Sequence, residues 1–187
     1  RNSNTNGGYT AGGKSINGDG NALVADILSG AFSDVARNPN VANTGLVFVE
    51  QGDVSSPGIM SATMNYDTGV LTIQATETLS FVPASLFLLG GIVFAGVSGD
   101  TYSGSLEVHG PHLVAFDLLG AGTPEVDSQL FNITLTESQR VAGIFLSGTP
   151  GGKGSPAVLD IRASTFNDVG FNVNPQIAGL ALKEIPD

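Results

Sequence analysis

The pattern with the sharpest chemical meaning lies near the start of the chain, where residues 8–15 read GYTAGGKS. This run matches the G-x-x-x-x-G-K-[ST] phosphate-binding loop, with Lys14 in the position that contacts phosphates. Such a loop works only between a buried strand and a helix N-terminus, where backbone amides converge on the phosphate. Here it lies among Asn, Gly, Ser and Thr, with no apolar run on either side. We therefore expect no nucleotide binding.

Metal-ligating residues form only partial patterns. Residues 17–21 (NGDGN) resemble the start of a calcium loop, but the Gly and Glu that an EF-hand needs at its sixth and twelfth positions are replaced by Ala22 and Leu28. A looser calcium site built from loop carboxylates stays open in so acidic a protein. The carboxylates that could contribute are Asp53, Asp67, Asp100, Glu125 and Asp127.

Residues suited to catalysis are also incomplete. The two histidines, His109 and His112, bracket a Gly-Pro turn, whereas a catalytic zinc needs three protein ligands and no spacing marks a third. Serine is abundant, but no G-x-S-x-G elbow is present. We therefore expect no enzyme activity, no catalytic residue and no cofactor, with calcium as the one open exception.

Carbohydrate contacts have a weak basis in the sequence. The chain has no Trp and is 7% aromatic, although Tyr9, Tyr66 and Tyr102 could form a shallow stacking surface. The run Asn132-Ile133-Thr134 is an N-glycosylation sequon, and strand alternation places Asn132 on the solvent side. Asn132 is therefore the candidate modification site.

Composition narrows the class of function. The 187 residues include 17 acidic and 7 basic side chains, for a net charge of -10, and no Cys. Nucleic acids and anionic lipids both require clustered Lys and Arg, which this chain lacks. Its most apolar run, residues 84–97, is shorter than the roughly 20 residues of a membrane-spanning helix. We expect no nucleic-acid partner and no membrane span.

The elements that would position these residues are short strands between frequent turns. Residues 60–66 and 71–75 alternate apolar and polar side chains around a D-T-G turn, which predicts a hairpin. Residues 22–36 fit either a helix or a strand, and the β-rich surroundings favour the strand. Further alternating runs occupy residues 105–109, 131–136 and 159–164.

These patterns predict an all-β fold with an extended N-terminal arm. Residues 22–187 would form a single antiparallel β-sandwich of the jelly-roll or Ig-like type, since alternation indicates one buried and one solvent face. Residues 1–21 are almost without apolar side chains and predict a Gly/Asn-rich arm. An open sheet edge can accept such an arm as an added strand, with residues 177–185 as the competing donor. The expected assembly residues are Gly7, Gly8, Tyr9, Thr10, Ala11, Gly12 and Gly13.

Three segments carry a resemblance to a known group: YDTGVLTI at residues 66–73, GDTYSGSLEV at residues 99–108 and QLFNIT at residues 129–134. Over about residues 43–170 the chain resembles secreted bacterial proteins of the PEP-CTERM, exosortase-sorted kind. Many of these are β-rich proteins of the extracellular matrix and of flocs. The resemblance implies an extracellular or cell-surface location.

The function predicted from the sequence is structural. We expect a secreted protein that self-assembles at the cell surface or in the extracellular matrix, such as a biofilm, as a homo-oligomer or polymer. A filament formed by terminal strand exchange is one such form. The chain begins with Arg1 rather than Met, which favours a processed, exported product. The alternative is a carbohydrate-binding or adhesive module, either calcium-dependent or not, with extracellular polysaccharide as its partner.

Overall fold

The computed structural model of the protein describes residues 23–49, 52–99 and 113–187. The chain divides into two compact units, Arg1–Val54 and Ser55–Asp187, where the sequence predicts a single domain from residue 22 onward. The first unit contains β1 (Val24–Ile27) and β2 (Asn43–Val47). The second contains β3 (Ile59–Asn65), β4 (Val70–Ser80), β5 (Ile92–Ala95), β6 (Ala115–Asp117), β7 (Ser128–Thr134), α1 (Glu137–Leu146), β8 (Val158–Ile161), β9 (Asn167–Asp168) and β10 (Ile177–Ile185).

The first unit is built around one antiparallel pair, β1 with β2, in which Val24 lies opposite Val47. A register shift after Ala25 brings the Asp26 carboxylate within 2.7 Å of the Gly45 amide, which donates to it. In residues 22–36, where the sequence is compatible with a helix or a strand, the described part forms the strand β1 followed by a loop.

The second unit contains one curled sheet. Its strands run in the order β6-β5-β8-β10-β3-β4-β7, and β9 pairs with the far end of β4. The pairs are antiparallel, except that β10 and β3 run parallel. The all-β class predicted from the sequence is confirmed. The finer prediction of an antiparallel jelly-roll or Ig-like sandwich is not confirmed, because the strands curl as one mixed sheet.

The hairpin of β3 and β4 follows directly from its sequence. The residues at its ends, Asn65 and Val70, lie opposite each other, and the Asn65 side-chain oxygen accepts the Asp67 and Thr68 amides at 3.0 and 3.2 Å. Gly69 has φ of +70°, a conformation that favours glycine. The predicted hairpin is confirmed. Its alternating inward side chains are fully buried from Ala62 onward, whereas a register shift leaves Met60 exposed.

The strand β10 joins the two halves of the sheet. Residues 177–181 pair with β8, and residues 182–185 pair with β3. Within the first of these segments, a one-residue bulge places Gly179 at φ of +67°. The Asp160 carboxylate accepts the Gly179 amide at 2.6 Å and the Gly99 amide at 2.7 Å. This carboxylate therefore holds the bulge in the half of β10 that pairs with β8.

A short helix, α1, packs against the inside of the curl. Its capping box is reciprocal, because Thr136 accepts the Gln139 amide and Gln139 accepts the Thr136 amide. The buried Gln139 side chain also donates to the Asp117 and Leu119 carbonyls. A Cβ at Gly143 would lie 3.1 Å from the Tyr66 ring, so the absence of a side chain lets the helix approach the core closely.

The apolar run at residues 84–97 contributes Phe87, Leu89 and Ile92–Ala95 to the core, whereas Leu88 and Val97 are exposed, and most of the run is not strand. Two 3₁₀ turns, Ala84–Leu86 and Leu89–Gly91, precede the short β5. Phe87 packs with Phe81 and Phe131 at ring-centroid distances of 5.0 and 5.9 Å. The Gly-Gly pair thus bends the chain into the core.

Replacement of Gly179 by Ala should destabilise the protein more than replacement of Gly120. Both residues have positive φ, and Ala there costs about 1–2 kcal/mol. Only at Gly179 would the new Cβ meet a neighbour, Ser98, at 2.9 Å. This crowding should add about 1–3 kcal/mol to the cost in the free energy of unfolding, measured by urea titration. Equal effects at the two sites would show that β10 does not need the close approach.

Candidate functional site

Many residues singled out from the sequence lie outside the described part of the chain. These are the predicted assembly arm Gly7–Gly13, Lys14 of the phosphate-loop pattern, both histidines, Asp100, Tyr9 and Tyr102. Their predicted roles stay predictions. The structure does place Tyr66, the acidic loop residues and Asn132.

The sugar-stacking role suggested for Tyr66 is wrong, because this side chain is fully buried. Its hydroxyl donates to the Glu184 carboxylate at 2.8 Å. The same carboxylate accepts the amides of Gly148 at 2.9 Å and Ala157 at 3.1 Å. Burial, followed by the hydrogen bond and the negative charge of Glu184, raises the pKa of the Tyr66 hydroxyl far above its ordinary value. Tyr66 is therefore a structural hydrogen-bond donor.

Of the predicted calcium ligands that the structure describes in the second unit, Asp67, Glu125 and Asp127 do not form a common cluster. Asp127 accepts the Phe81 amide at 2.7 Å, while Asp67 lies exposed in the β3–β4 turn. The structure instead brings the Glu77 and Asp168 carboxylates within 4.8 Å of each other. Calcium binding therefore stays a prediction without an assigned set of ligands.

Asn132 lies exposed on β7, the edge strand of the sheet. The Thr72 hydroxyl donates to its side-chain oxygen at 2.8 Å. The backbone of β7 near Asn132 is partly protected against pairing with another strand. The Ser128 hydroxyl donates to the Leu130 carbonyl and accepts the Leu130 amide. Glycosylation of Asn132 stays a prediction.

The first unit exposes many apolar side chains to solvent, because none of residues 23–49 is buried. Three of these 27 residues are charged: Asp26, Asp34 and Arg37. Seven large apolar side chains of this segment are each more than half exposed. Besides Val24 and Val49 they are Leu28, Phe32, Val35, Val41 and Val47, and we call these five the apolar surface of the first unit.

Four of these five side chains lie on the loop between β1 and β2, and Val47 lies at the end of β2. The Asn40 side chain accepts the Phe32 amide at 3.0 Å and donates to the Leu28 carbonyl at 3.0 Å. Asp34 accepts both the amide and the side-chain amide of Asn38, and these bonds lower the pKa of the Asp34 carboxyl. The exposed side chains therefore start from a defined backbone.

The second unit contains a cleft of about 550 Å³. Residues 87–91 form one wall, residues 162–165 form another, and Leu119 and Thr123 complete the lining. Leu88 and Leu119 expose 55% and 73% of their surface, so the cleft offers apolar side chains to solvent. Its size falls within the range of small-ligand sites.

The two main walls of this cleft are joined by hydrogen bonds. The Arg162 amide donates to the Gly91 carbonyl at 2.9 Å, and the Leu88 amide donates to the Thr165 carbonyl at 2.8 Å. A Cβ on Gly91 would collide with the Thr165 side chain. The cleft therefore needs glycine at this position, where the walls approach most closely.

Comparison of the chain with family models, curated proteins and solved structures finds no match. Within the described ranges, no helix is long and apolar enough to cross a membrane.

Sequence reasoning missed the cleft and the Glu77–Asp168 pair. Both combine residues that are far apart in the chain: residues 87–91 with 162–165, and Glu77 with Asp168. Glu77 and Asp168 meet because β9 pairs with the end of β4, where Leu79 lies opposite Asp168. No local pattern announces such a pairing.

The buried Tyr66 hydroxyl should make the fold sensitive to alkali. Its pKa in the folded state lies above the ordinary value of about 10, so its contribution to stability is complete below that pH. It is lost as the pH rises above that value, since only the unfolded chain releases the proton easily. The free energy of unfolding should fall above about pH 10, and Tyr66→Phe should reduce this slope while costing about 1–3 kcal/mol at neutral pH.

Urea titrations over the alkaline range measure this effect, and tyrosinate absorbance follows ionisation in the folded protein. Tyr66→Phe is a matched change because it keeps the ring that packs in the core. If all three tyrosines ionise near their ordinary pKa while the protein stays folded, Tyr66 is not the protected group described here.

Proposed function

We propose that this protein is a structural, non-enzymatic protein of the cell surface or extracellular matrix that assembles with copies of itself. The observation that carries the proposal is the apolar surface of the first unit. Large exposed apolar patches on a soluble chain are characteristic of interaction sites. The same surface has few charges, as the centres of protein interfaces do.

The first unit also has an incomplete sheet. Among the described residues, β1 and β2 pair only with each other, so each strand has an edge without a partner strand. A two-stranded hairpin is marginally stable in water and gains stability from further strands or from a covering layer. A second copy of the chain can supply both by adding a strand and covering the apolar side chains.

The predicted arm fits this mode of assembly. Residues 1–21 directly precede β1 in the chain, and the expected assembly residues Gly7–Gly13 are small apart from Tyr9. Small residues allow close backbone approach during strand addition. We propose that the arm and the β1–β2 hairpin together form the contact between copies, and that export follows from the PEP-CTERM-like segments. The net charge of -10 opposes the contact at low ionic strength, so salt should favour it.

The alternative of a carbohydrate-binding or adhesive module has less support. Tyr66 has no exposed ring surface, and the predicted calcium ligands that the structure describes in the second unit, Asp67, Glu125 and Asp127, do not converge. Self-assembly therefore remains the function that the geometry favours.

Lysine substitutions on the apolar surface should prevent self-association without unfolding the chain. In the full-length protein we expect Leu28→Lys with Val47→Lys to remain monomeric at concentrations where the wild type associates. Both positions are solvent-exposed, 70% and 68%, so the monomer should tolerate the charge. A buried lysine at an interface would be strongly unfavourable. Sedimentation velocity at several salt concentrations measures association, and circular dichroism measures the melting temperature.

A matched control adds the same charge elsewhere. Val126→Lys with Val169→Lys changes two valines of the second unit that are 73% and 54% exposed, and it should associate like the wild type. The proposal fails if the wild type is monomeric under all conditions. It also fails if the Leu28 and Val47 substitutions lower the melting temperature of the dilute monomer, since those side chains would then pack within one chain.

A further inference from the structure

We propose that the cleft of the second unit binds a small amphipathic carboxylate, a molecule with an apolar body and one carboxylate group. The carboxylate would pair with Arg162, and the apolar body would lie against Leu88 and Leu119. This binding site is separate from the apolar surface of the first unit, so it does not depend on self-assembly.

The guanidinium of Arg162 supplies the anion-binding group. Its Nη1 donates to the Gly90 carbonyl at 3.2 Å, which holds the side chain beside the cleft. Within the described ranges the ion pairs involve Arg140 and not Arg162. An arginine has five N–H donors in a planar fork, so several stay available for a carboxylate. A planar, two-oxygen anion matches this fork better than a single point charge does.

The net charge of the whole protein supports Arg162 as the anion-binding group. With 17 acidic and 7 basic side chains, most of the surface repels anions. A basic group at the edge of an apolar cleft is therefore an exception to the prevailing charge. The apolar walls exclude a strongly hydrated ion such as free phosphate as the best occupant, because they offer it no compensating hydrogen bonds.

The wall that carries Arg162 is held in place before any ligand arrives. Asn174 is buried, and its side-chain oxygen accepts the Thr165 and Phe166 amides at 2.8 and 2.9 Å. Its side-chain nitrogen donates to the Arg162 carbonyl at 2.8 Å. These bonds leave the loop little freedom to lose on binding, and such preorganisation favours affinity.

Backbone strain marks the same loop. Ser164 lines the cleft with φ of +59°, and its amide donates to the Asn174 carbonyl at 3.0 Å. Non-glycine residues in this conformation are uncommon and concentrate at ligand sites. The strain, the buried Asn174 and the cleft therefore coincide in one place.

Decanoate is the probe for this proposal, and decan-1-ol is its uncharged counterpart with the same chain. We expect isothermal titration calorimetry on the full-length protein to show saturable decanoate binding. Decan-1-ol should bind about ten- to a hundredfold more weakly, because it lacks the charge-assisted pair with Arg162. This comparison uses the native protein and needs no variant to fold.

Variants then assign the contacts. Arg162→Met keeps the length of the stem and removes the charge, so decanoate affinity should fall about ten- to a hundredfold while decan-1-ol affinity is unchanged. Lys183→Met removes an exposed charge from β10 and should leave both affinities unchanged. Leu119→Ser should weaken both ligands, whereas Leu130→Ser, a leucine on the opposite edge strand that is 55% exposed, should weaken neither.

The proposal is overturned if decanoate does not bind saturably, or if the two ligands bind the native protein equally. It is also overturned if Arg162→Met and Lys183→Met reduce decanoate binding alike, since the effect would then come from overall charge. None of these results bears on self-association, which sedimentation measures independently.

Discussion

The position of β10 in the middle of the sheet is the constraint on which the second unit depends. One of its edges pairs antiparallel with β8 over the first half of the strand, and the other edge pairs parallel with β3 over the second half. Within the first half, the chain has a bulge at Gly179, whose amide donates to the Asp160 carboxylate. Because this carboxylate also accepts the Gly99 amide, it ties the bulge to the loop that follows β5. Through β10, the strands β6, β5 and β8 and the strands β3, β4 and β7 form one sheet.

Two further polar clusters connect strands of the sheet to loops and to α1. Glu184, on the second half of β10, receives hydrogen bonds from Tyr66, Gly148 and Ala157. Arg140 of α1 pairs with Glu137 and Asp187 and donates to the Tyr66 carbonyl at 2.8 Å. The guanidinium lowers the pKa of the exposed Glu137 carboxyl, chiefly through the hydrogen bond. The protein has few charged side chains, and Glu184 and Arg140 connect elements that are distant in sequence.

The two units differ in how far they bury their apolar side chains. The second unit buries a continuous core from Ala62 to Leu182, whereas the first has no buried residue over 23–49. This exposed apolar set is the basis of the proposed self-association. The cleft adds a small-ligand site on a unit that already has a core, so binding there and assembly through the first unit can be independent properties.

The sequence by itself determined the local elements, because alternation and turn chemistry are properties of neighbouring residues. The β3–β4 hairpin, its buried face from Ala62 to Ala75 and the all-β class all follow from such patterns. The Thr136–Gln139 capping box that starts α1 was also readable, but the surrounding strand pattern obscured it. Only the tertiary structure decided the parallel pairing of β10 with β3, the hydrogen bond from the Tyr66 hydroxyl to Glu184 and the cleft beside Arg162. Each joins segments tens of residues apart, and their meeting depends on how the whole sheet curls.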